Sequence, residues 1–275
     1  MESTIPIVDV WMQHRSRQFR ELPMFASLRR WTRHETPYTD MPLEATLSAM
    51  DEAGVQVGLL SAWWGPHGPL IGNDAVARCV QRYPARFIGI AAVDLFRPME
   101  AIREVRWCVG ELGMRGVRML PWLWQVPPDD RRYYPLYATC VDLHIPCCLQ
   151  VGHTGPLCPS EPGRPIPYLD HVAVEFPELT IVAGHIGYPW TAEMIALATK
   201  YPHVYIDTSA SKSRRSPREF VEYRRGHGRH KVLFGSNYPM LTPRECLHDL
   251  AMLALDEETT RLFLAENAAR VFALQ

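Results

Sequence analysis

The sequence predicts a single-domain α/β protein, a (β/α)8 TIM barrel with a long insertion between its first strand and its first helix. Three observations predict this fold. Short apolar runs alternate with amphipathic stretches eight times, most of the runs are continuously apolar, and the chain has 275 residues. Continuous apolar runs indicate strands that are buried on both faces of a parallel sheet, and a length of about 250 residues is typical of a closed eight-stranded barrel. We therefore expect residues 1–275 to form one domain.

The elements follow one another in a regular order along the chain. The predicted strands are Ile5–Val10, Val55–Ser61, Phe87–Val93, Gly116–Leu120, Ile145–Val151, Leu179–Ala183, Val204–Ile206 and Lys231–Phe234. The predicted helices are Leu43–Ala53, Asn73–Tyr83, Met99–Glu111, Tyr133–Asp142, Tyr168–Phe176, Trp190–Lys200, Pro217–Arg225 and Pro243–Leu253. This alternation implies right-handed βαβ units and a parallel sheet. Because no Gly-x-Gly-x-x-Gly follows the first strand, a dinucleotide-binding fold is disfavoured.

The segment from residue 14 to residue 40 interrupts this regular spacing and is called the insertion below. It mixes apolar residues such as Phe19, Phe25 and Trp31 with several arginines. Loops of this length in a compact barrel are usually functional lids or interface elements. A surface insertion that only caps the barrel is the alternative. The exposed apolar residues of the insertion also favour a homodimer.

Composition excludes several classes of partner. The net charge of −1 and a pI near 6.8 give no electrostatic reason to expect nucleic acid or an anionic membrane as partner. The first residues carry no basic or apolar leader, and no apolar run approaches the ~20 residues that span a bilayer. The seven cysteines contain no Cys-x-x-Cys pair, so we expect reduced thiols in a cytoplasmic protein.

Candidate site residues come from the positions where predicted strands end, because barrel enzymes place their reacting groups there. These positions hold Trp11, Gln13, Trp63, Trp64, Arg118, Trp122, Trp124, His153, His185, Tyr188, Trp190, Asp207, Ser209 and Asn237. Six of the eight tryptophans fall in this set. Such an aromatic mouth suits a small, planar or largely apolar substrate. Simple packing of the loops is the alternative, because tryptophan is highly buried on average.

Four ordered motifs at strand ends resemble the amidohydrolase superfamily. They are Leu149-Gln-Val-Gly-His-Thr-Gly, Ile181-Val-Ala-Gly-His-Ile-Gly, Val204-Tyr-Ile-Asp-Thr-Ser and Leu233-Phe-Gly-Ser-Asn-Tyr-Pro. The closing Glu266-Asn-Ala-Ala-Arg-Val-Phe also fits the amidohydrolase-2 branch, which contains metal-dependent decarboxylases and lactone hydrolases. The resemblance therefore implies a metal-assisted hydrolase or decarboxylase on a TIM barrel.

The sequence departs from that family at the metal ligands. The resemblance implies a His-x-His pair after the first strand and an aspartate after the last, whereas this chain has Trp11, Gln13 and Asn237 there. Only His153 and His185 remain from the ligand set. Two imidazoles and two carboxamides make a poor zinc site, because zinc usually takes at least three imidazole, thiolate or carboxylate ligands. We therefore expect no tightly bound metal, with a weak divalent ion at the two histidines left open.

Without a metal, side chains must perform the chemistry. His153 and His185 are the expected bases, because imidazole titrates near neutral pH. Asn237 and Gln13 are expected to donate hydrogen bonds to a carbonyl or oxyanion. Asp9 and Asp207 could orient a histidine or could simply accept hydrogen bonds from loop amides.

Arg118 is the expected binding group for a substrate carboxylate. A guanidinium that points into the mouth binds a carboxylate through two hydrogen bonds, and the resemblance implies the same role for this arginine. The leading hypothesis is a hydrolase that acts on an ester, lactone or amide of a small cyclic or aromatic acid. Non-oxidative decarboxylation of an aromatic or unsaturated acid is the first alternative, and a non-catalytic barrel that binds a ligand is the second.

Overall fold

The barrel consists of eight short parallel strands. The computed structural model describes residues 6–32 and 40–274. The barrel strands are β1 (Ile7–Met12), β2 (Val55–Ser61), β3 (Phe87–Ile90), β4 (Val117–Met119), β5 (Cys147–Gln150), β6 (Ile181–Gly184), β7 (Val204–Asp207) and β8 (Val232–Leu233). Each lies within or overlaps a predicted apolar run, so the predicted strand order is confirmed. The predicted start at Ile5 lies outside the described residues.

The strands form two arcs that join into one closed barrel. The first arc has the order β1-β2-β3 and the second has the order β8-β7-β6-β5-β4. A parallel bridge between Ala91 and Val117 connects β3 to β4. A second bridge between Met12 and Tyr238 joins β1 to the segment after β8, and Val10 N–H donates to the Phe234 carbonyl at 3.0 Å. The carboxyl ends of all eight strands therefore meet at one end, which is called the mouth below.

The outer layer contains the predicted helices. They are α3 (Leu43–Asp51), α4 (Asn73–Arg82), α5 (Pro98–Gly110), α7 (Tyr134–Asp142), α8 (Tyr168–Glu175), α9 (Thr191–Lys200), α10 (Arg218–Arg225) and α11 (Pro243–Leu247). The last predicted helix is shorter than expected, because a 3-10 helix (Leu250–Leu253) replaces its end. Two helices, α12 (Glu257–Arg261) and α13 (Asn267–Val271), follow and flank a π-helical turn. Within the described part of the chain, no helix is both long and apolar enough to cross a membrane.

The insertion folds into helices that the sequence patterns do not predict. It contains α1 (Arg17–Glu21), a 3-10 turn (Pro23–Phe25) and α2 (Ala26–Thr32). Ser16 caps α1 by accepting a hydrogen bond from Phe19 N–H at 3.2 Å. The Ser27 hydroxyl donates to the Gly155 carbonyl, so α2 docks on the loop that follows β5. A Cβ at Gly155 would overlap the present position of the Leu28 side chain, so α2 and this loop approach each other closely. Residues 33–39 lie outside the description.

Two further short elements border the mouth. The segment after β2 forms an antiparallel hairpin of Trp63–Gly65 and Gly68–Ile71. The segment after β4 forms the one-turn helix α6 (Pro121–Trp124), which begins with proline, a residue favoured in the first turn. Both elements place tryptophans around the mouth.

The interior of the barrel has its own apolar cluster. Its buried members are Val8, Val10, Trp11, Leu59, Ile90, Cys148, Val182, Leu233, Ala265, Ala268 and Phe272. Each large aliphatic side chain that is fully removed from water contributes about 1.5–3 kcal/mol. Because Trp11 belongs to this cluster, the apolar interior extends upward to the mouth and forms the floor of the site.

Candidate active site

A hydrogen-bonded chain of three polar side chains crosses the mouth. The Gln13 amide donates to Asn237 Oδ1 at 3.0 Å, and Gln13 Oε1 accepts from Arg118 Nη1 at 2.8 Å. The same amide nitrogen also donates to the backbone carbonyls of Asn237 and Tyr238, and Trp63 Nε1 donates to Gln13 Oε1 at 3.3 Å. Gln13 is fully buried and both ends of its amide are engaged inside the protein. In this arrangement Gln13 holds Arg118, and its amide is engaged within the protein instead of facing a substrate as the sequence suggests.

Arg118 lies between two indole rings. Its guanidinium carbon is 4.1 Å from the centre of the Trp11 ring and 4.9 Å from that of Trp63. Its Nη1 also donates to the Ser61 hydroxyl. Its Nε and Nη2 are buried and have no hydrogen-bond partner within the described protein. As expected from sequence, Arg118 points inward, and the hydrogen-bonding capacity of its Nε and Nη2 is unused in the described protein.

Arg118 keeps its positive charge although burial disfavours the charged form. Removal from water, and to a smaller extent the nearby charge of Arg15, lower the pKa of Arg118 from 12.5 to about 9, whereas Asp207 opposes that shift. Arg118 therefore remains protonated at neutral pH. Arg15, from the insertion, lies over Trp63 at 5.6 Å and brings a second positive charge to the mouth. Sequence reasoning missed Arg15, because nothing in the pattern of the insertion indicates which of its arginines turns inward.

Trp11 fills the space in which the family resemblance implies a metal ligand. Its side chain is 2 % exposed, and its ring lies 5.5 Å from the His185 ring in an edge-on arrangement. A Cβ on Gly184 would come within 2.7 Å of the Trp11 ring, and a Cβ on Gly235 would come within 3.0 Å of Trp11 Cβ. Two glycines, one at the end of β6 and one just after β8, therefore make room for the indole.

His185 lies at the end of β6 and contacts β7 through a serine. Its Nδ1 is 2.5 Å from the Ser209 hydroxyl. The pKa of His185 is lowered from 6.5 to about 3, mainly by burial and further by the charges of Arg118 and Arg15. The imidazole is therefore neutral at physiological pH and has a nitrogen lone pair. The backbone of His185 has φ 69, and that of Asn237 has φ 67. Left-handed backbone at non-glycine residues is uncommon and is often found at functional sites.

Two buried aspartates lie beneath these groups. Asp9 Oδ1 accepts from the backbone N–H groups of Trp11 at 3.1 Å and Ser236 at 3.0 Å, and Asp207 Oδ1 accepts from Ser209 N–H at 2.5 Å. These bonds agree with the second of the two alternatives, in which the carboxylates accept hydrogen bonds from loop amides. The Oδ2 atom of each aspartate has no partner within the described protein. Burial raises the pKa of each carboxyl from 3.8 to about 7.

His153 lies on the rim instead of at the centre of the mouth. Its side chain is exposed, its Nδ1 is 3.3 Å from the Ser160 hydroxyl, and its ring centre is 6.2 Å from that of Trp31. Gly152, with φ 82, turns the chain outward before it, and His153 N–H donates to the Tyr188 carbonyl. The prediction that both histidines meet at the centre is therefore wrong, because it placed His153 by its distance from β5 without this turn.

The remaining aromatic candidates separate into buried and exposed groups. Trp122 is buried with its ring 6.0 Å from that of Trp63, and Trp64 is half-buried. The indole nitrogens of Trp64 and Trp122 have no hydrogen-bond partner within the described protein. Tyr188 is 60 % exposed, so it lines the approach to the mouth and not its interior. Packing therefore accounts for part of the aromatic concentration that the sequence shows.

A separate cavity lies outside the mouth, against the outer helices. It has a volume of about 310 Å³ and is lined by residues that include His14, Ile71 and Cys79. None of the expected site residues lines it. His14 Nδ1 is 2.9 Å from Thr46 Oγ1 on α3, so His14 points away from the mouth.

The side chains at the mouth do not fit a divalent metal ion. Among the described residues, no group of three or more His, Cys, Asp and Glu side chains could hold one. Gln13 uses its amide oxygen for Arg118 and Trp63, and His185 uses Nδ1 for Ser209. The guanidinium of Arg118 is a cation that is already held next to Gln13 and Trp11, and its charge would repel a divalent metal ion.

Comparison with known proteins finds similar sequences and similar folds. The sequence profile of the family described as Amidohydrolase matches residues 8–274. A 2-amino-3-carboxymuconate-6-semialdehyde decarboxylase from Dictyostelium discoideum is 31% identical over 71 residues, which are 26% of this chain and 20% of that protein. The chain thus aligns with about a fifth of the length of that curated relative.

Two solved structures share the whole fold. An uncharacterized TIM-barrel protein, Bb4693 from Bordetella bronchiseptica, has a TM-score of 0.82 at 24% identity and covers 98% of this chain and 99% of its own. A dihydroxybenzoic acid decarboxylase from Polaromonas sp. JS666, with bound manganese and the inhibitor 2-nitroresorcinol, has a TM-score of 0.72 at 18% identity. That match covers 98% of this chain and 97% of the other. These likenesses establish the fold.

Proposed function

Because this chain belongs to the amidohydrolase family, we propose that it is an enzyme that acts on a small aromatic or cyclic carboxylic acid. We infer that it hydrolyses an ester, lactone or amide bond of that acid without a tightly bound metal. The observation that carries the proposal is the Arg118 guanidinium, which lies between two indole faces with two nitrogens unpaired.

Arg118 and its neighbours match an aromatic or cyclic carboxylate in charge and in shape. Nε and Nη2 of a guanidinium can donate two parallel hydrogen bonds to one carboxylate. Gln13 and Ser61 hold the other end of the guanidinium, so little side-chain entropy is lost when a ligand binds. Trp63 and Trp122 provide flat apolar surface next to this charge.

His185 is the proposed base that activates water. Its low pKa makes it a weak base in the free protein, and the charge of Arg118 contributes to that low value. A carboxylate on Arg118 would offset this charge and would raise the pKa of His185 toward neutrality. The base is then strongest when substrate is bound. Asn237 Nδ2, whose contact within the protein is a weak one to Met240 Sδ at 3.5 Å, is the proposed donor to the developing oxyanion.

A turnover screen in the presence of EDTA tests this function. Aryl esters, lactones and amides of carboxylic acids would be offered to the wild type, to Arg118→Met and to Arg224→Met. Arg224 is the matched control, because it is a second buried arginine, 1 % exposed, that lies over Phe263 on the outer layer. We expect acid release by the wild type and the control, and loss of at least about a hundredfold in kcat/KM for Arg118→Met.

Two results would contradict the hydrolase proposal. Activity that disappears with EDTA and returns with manganese or zinc would restore a metal mechanism. Equal turnover by Arg118→Met and wild type would remove the carboxylate-binding site. Tight binding of an aromatic acid without turnover of any substrate would instead indicate a non-catalytic ligand-binding barrel.

Non-oxidative decarboxylation is the second candidate. The named relative from Dictyostelium discoideum and the Polaromonas structure are both decarboxylases, which favours this chemistry. Against it stands the side-chain set at the mouth, because Gln13 and Asn237 bind a metal poorly. Carbon dioxide release from hydroxybenzoates in the same screen would decide for decarboxylation.

A further inference from the structure

We propose that the cavity bounded by α3 and α4 is a second binding site, which takes the anion of a short aliphatic carboxylic acid. The cavity has a volume of about 310 Å³. This volume lies at the lower end of the range of about 300–1,000 Å³ that small-molecule sites occupy. None of the residues assigned to the mouth lines the cavity, so the inference goes beyond the proposed function and does not rest on it.

The apolar part of the lining is aliphatic. Leu43 from α3, Leu60 from β2 and Val76 from α4 are buried side chains that line the cavity, and Ile71 from the hairpin joins them. Apart from the imidazole of His14, the described lining residues include no aromatic ring. Such side chains contact a flexible hydrocarbon chain well but offer no flat face on which a ring can stack. The cavity therefore differs from the mouth, where tryptophans surround the charge.

The ionisable groups of the lining include two arginines and no acid. Arg78 and Arg82 lie one turn apart on α4, so their side chains are neighbours on one face of the helix. His14 adds an imidazole from the start of the insertion, and no Asp or Glu is among the described residues that line the cavity. An anionic head group near α4 would therefore be attracted by the charges of the lining.

Arg78 is the arginine that we assign to the carboxylate. Arg82 already forms an ion pair with Glu44 on α3 and lies over the Tyr83 ring. Arg78 is exposed and has no acidic partner among the described residues. Its guanidinium can donate two parallel hydrogen bonds to one carboxylate. Ala75 also lines the cavity one turn before Arg78, so a hydrocarbon chain that lies along Ala75 brings its head group to Arg78.

The size and the lining of the cavity fit this ligand better than other occupants. An α-helix of a partner protein is about 10–12 Å wide with its side chains, so even one turn of about 5.4 Å needs more space than the cavity offers. A neutral hydrocarbon would fill the apolar part and leave Arg78 without a partner. An aliphatic carboxylate matches both parts of the lining.

Isothermal titration calorimetry with octanoate tests this site. We expect the wild type to bind octanoate, and octanol, which has the same chain without the charge, to bind at least about tenfold more weakly. Arg78→Gln should weaken octanoate binding by about tenfold. Because Arg78 is exposed, this replacement does not disturb the core. Ala75→Phe, which fills the cavity, should abolish binding.

Arg103→Gln is the matched control for Arg78→Gln. Arg103 is an exposed arginine of α5, and it does not line the cavity. We expect Arg103→Gln to leave the affinity for octanoate unchanged. A loss of affinity that is equal in the two variants would mean that octanoate responds only to the net charge of the protein, and it would overturn the assignment of Arg78.

Competition separates this site from the mouth. Benzoate has a flat ring and matches Arg118 between its two indoles, so saturating benzoate should leave octanoate binding unchanged, and so should Arg118→Met. Displacement of octanoate by benzoate would place both ligands at the mouth and overturn the inference. Absence of octanoate binding, or equal affinity in wild type and Arg78→Gln, would overturn it as well. Failure of the hydrolase proposal alone would leave this site standing, because the two sites use different residues.

Discussion

Replacing Arg118 by methionine should weaken ligand binding strongly while lowering the stability of the protein only modestly. Methionine has a similar length and can remain between the Trp11 and Trp63 rings, but it has no charge and no donor. Removing one member of a buried charged pair usually destabilises a protein strongly. Arg118 should behave differently, because it is only partly satisfied.

The structure sets the size of each effect. Burial lowers the pKa of Arg118 from 12.5 to about 9, and at neutral pH this difference corresponds to about 5 kcal/mol against the buried cation. In the opposite direction, two desolvated cation–π contacts contribute ~2 kcal/mol each. The hydrogen bonds to Gln13 and Ser61 add about 1.5–3 kcal/mol each, because the donor is charged. The favourable contributions exceed the cost by about 2–5 kcal/mol, and methionine recovers part of this difference through its own contacts with the two rings, so we expect a loss of about 2 kcal/mol in the free energy of unfolding.

Two measurements on the same variants separate binding from stability. Urea unfolding gives the free energy of unfolding, and calorimetric titration with an aromatic carboxylate such as benzoate gives Kd. We expect Arg118→Met to weaken binding by about 3 kcal/mol, or more than about a hundredfold. Arg224→Met provides the control, since burial also lowers the pKa of Arg224 to about 10 and its Nε and Nη2 have no hydrogen-bond partner in the described chain. It should leave Kd unchanged.

Two outcomes would refute this reasoning. A loss of about 4 kcal/mol or more in the free energy of unfolding of Arg118→Met would mean that the guanidinium mainly stabilises the fold. An unchanged Kd would mean that the carboxylate binds elsewhere. Loss of affinity in both arginine variants would indicate a general loosening of the fold.

Three further predictions follow from the geometry of the mouth. The triple variant Trp11→His/Gln13→His/Asn237→Asp should retain near-stoichiometric zinc or manganese after dialysis, as measured by elemental analysis. If the wild type retained as much metal, the conclusion that its side chains do not fit a divalent ion would be contradicted. Burial raises the pKa of Asp207 from 3.8 to about 7, so its contribution to stability is complete below about pH 4 and is lost as the pH rises through about 7. Between about pH 5 and pH 8 the free energy of unfolding should therefore fall less in Asp207→Asn than in the wild type, as measured by urea unfolding. Equal falls in the two proteins would refute this prediction. Gly184→Ala should cost about 2 kcal/mol, because the new Cβ would come within 2.7 Å of the Trp11 ring, and a double-mutant cycle with Trp11→Phe should recover part of that cost unless the two residues are independent.

The fold could be predicted from sequence because its main signals are local. Each buried strand is a short apolar run, and the predicted run Val55–Ser61 coincides with β2. The helices of the insertion could not be predicted in the same way, since α1 and α2 are too short for a clear period and are held by contacts with distant loops. The Ser27 contact with Gly155 joins residues that are far apart in the sequence.

The site could be predicted only in part, for a related reason. The inward direction of Arg118 follows from the alternation of side chains along β4, and Trp11 follows from β1. The position of His153 depends on the turn at Gly152, whose φ of 82 no single-sequence pattern specifies. The engagement of Gln13 depends on Asn237, a residue from the opposite end of the chain. Contacts of this kind are set by closure of the barrel and not by local sequence.

The burial of Arg118 has a kinetic consequence for any ligand. Arg118 is 3 % exposed, and the insertion places Phe19, Phe25 and Arg15 against Trp63 above it. We expect that a carboxylate reaches the guanidinium only after these side chains move aside. The observed association rate should therefore level off at high ligand concentration, at the rate at which the cover opens. Trimming Phe19 to alanine should raise that ceiling, so entry and affinity would be set by different parts of the chain.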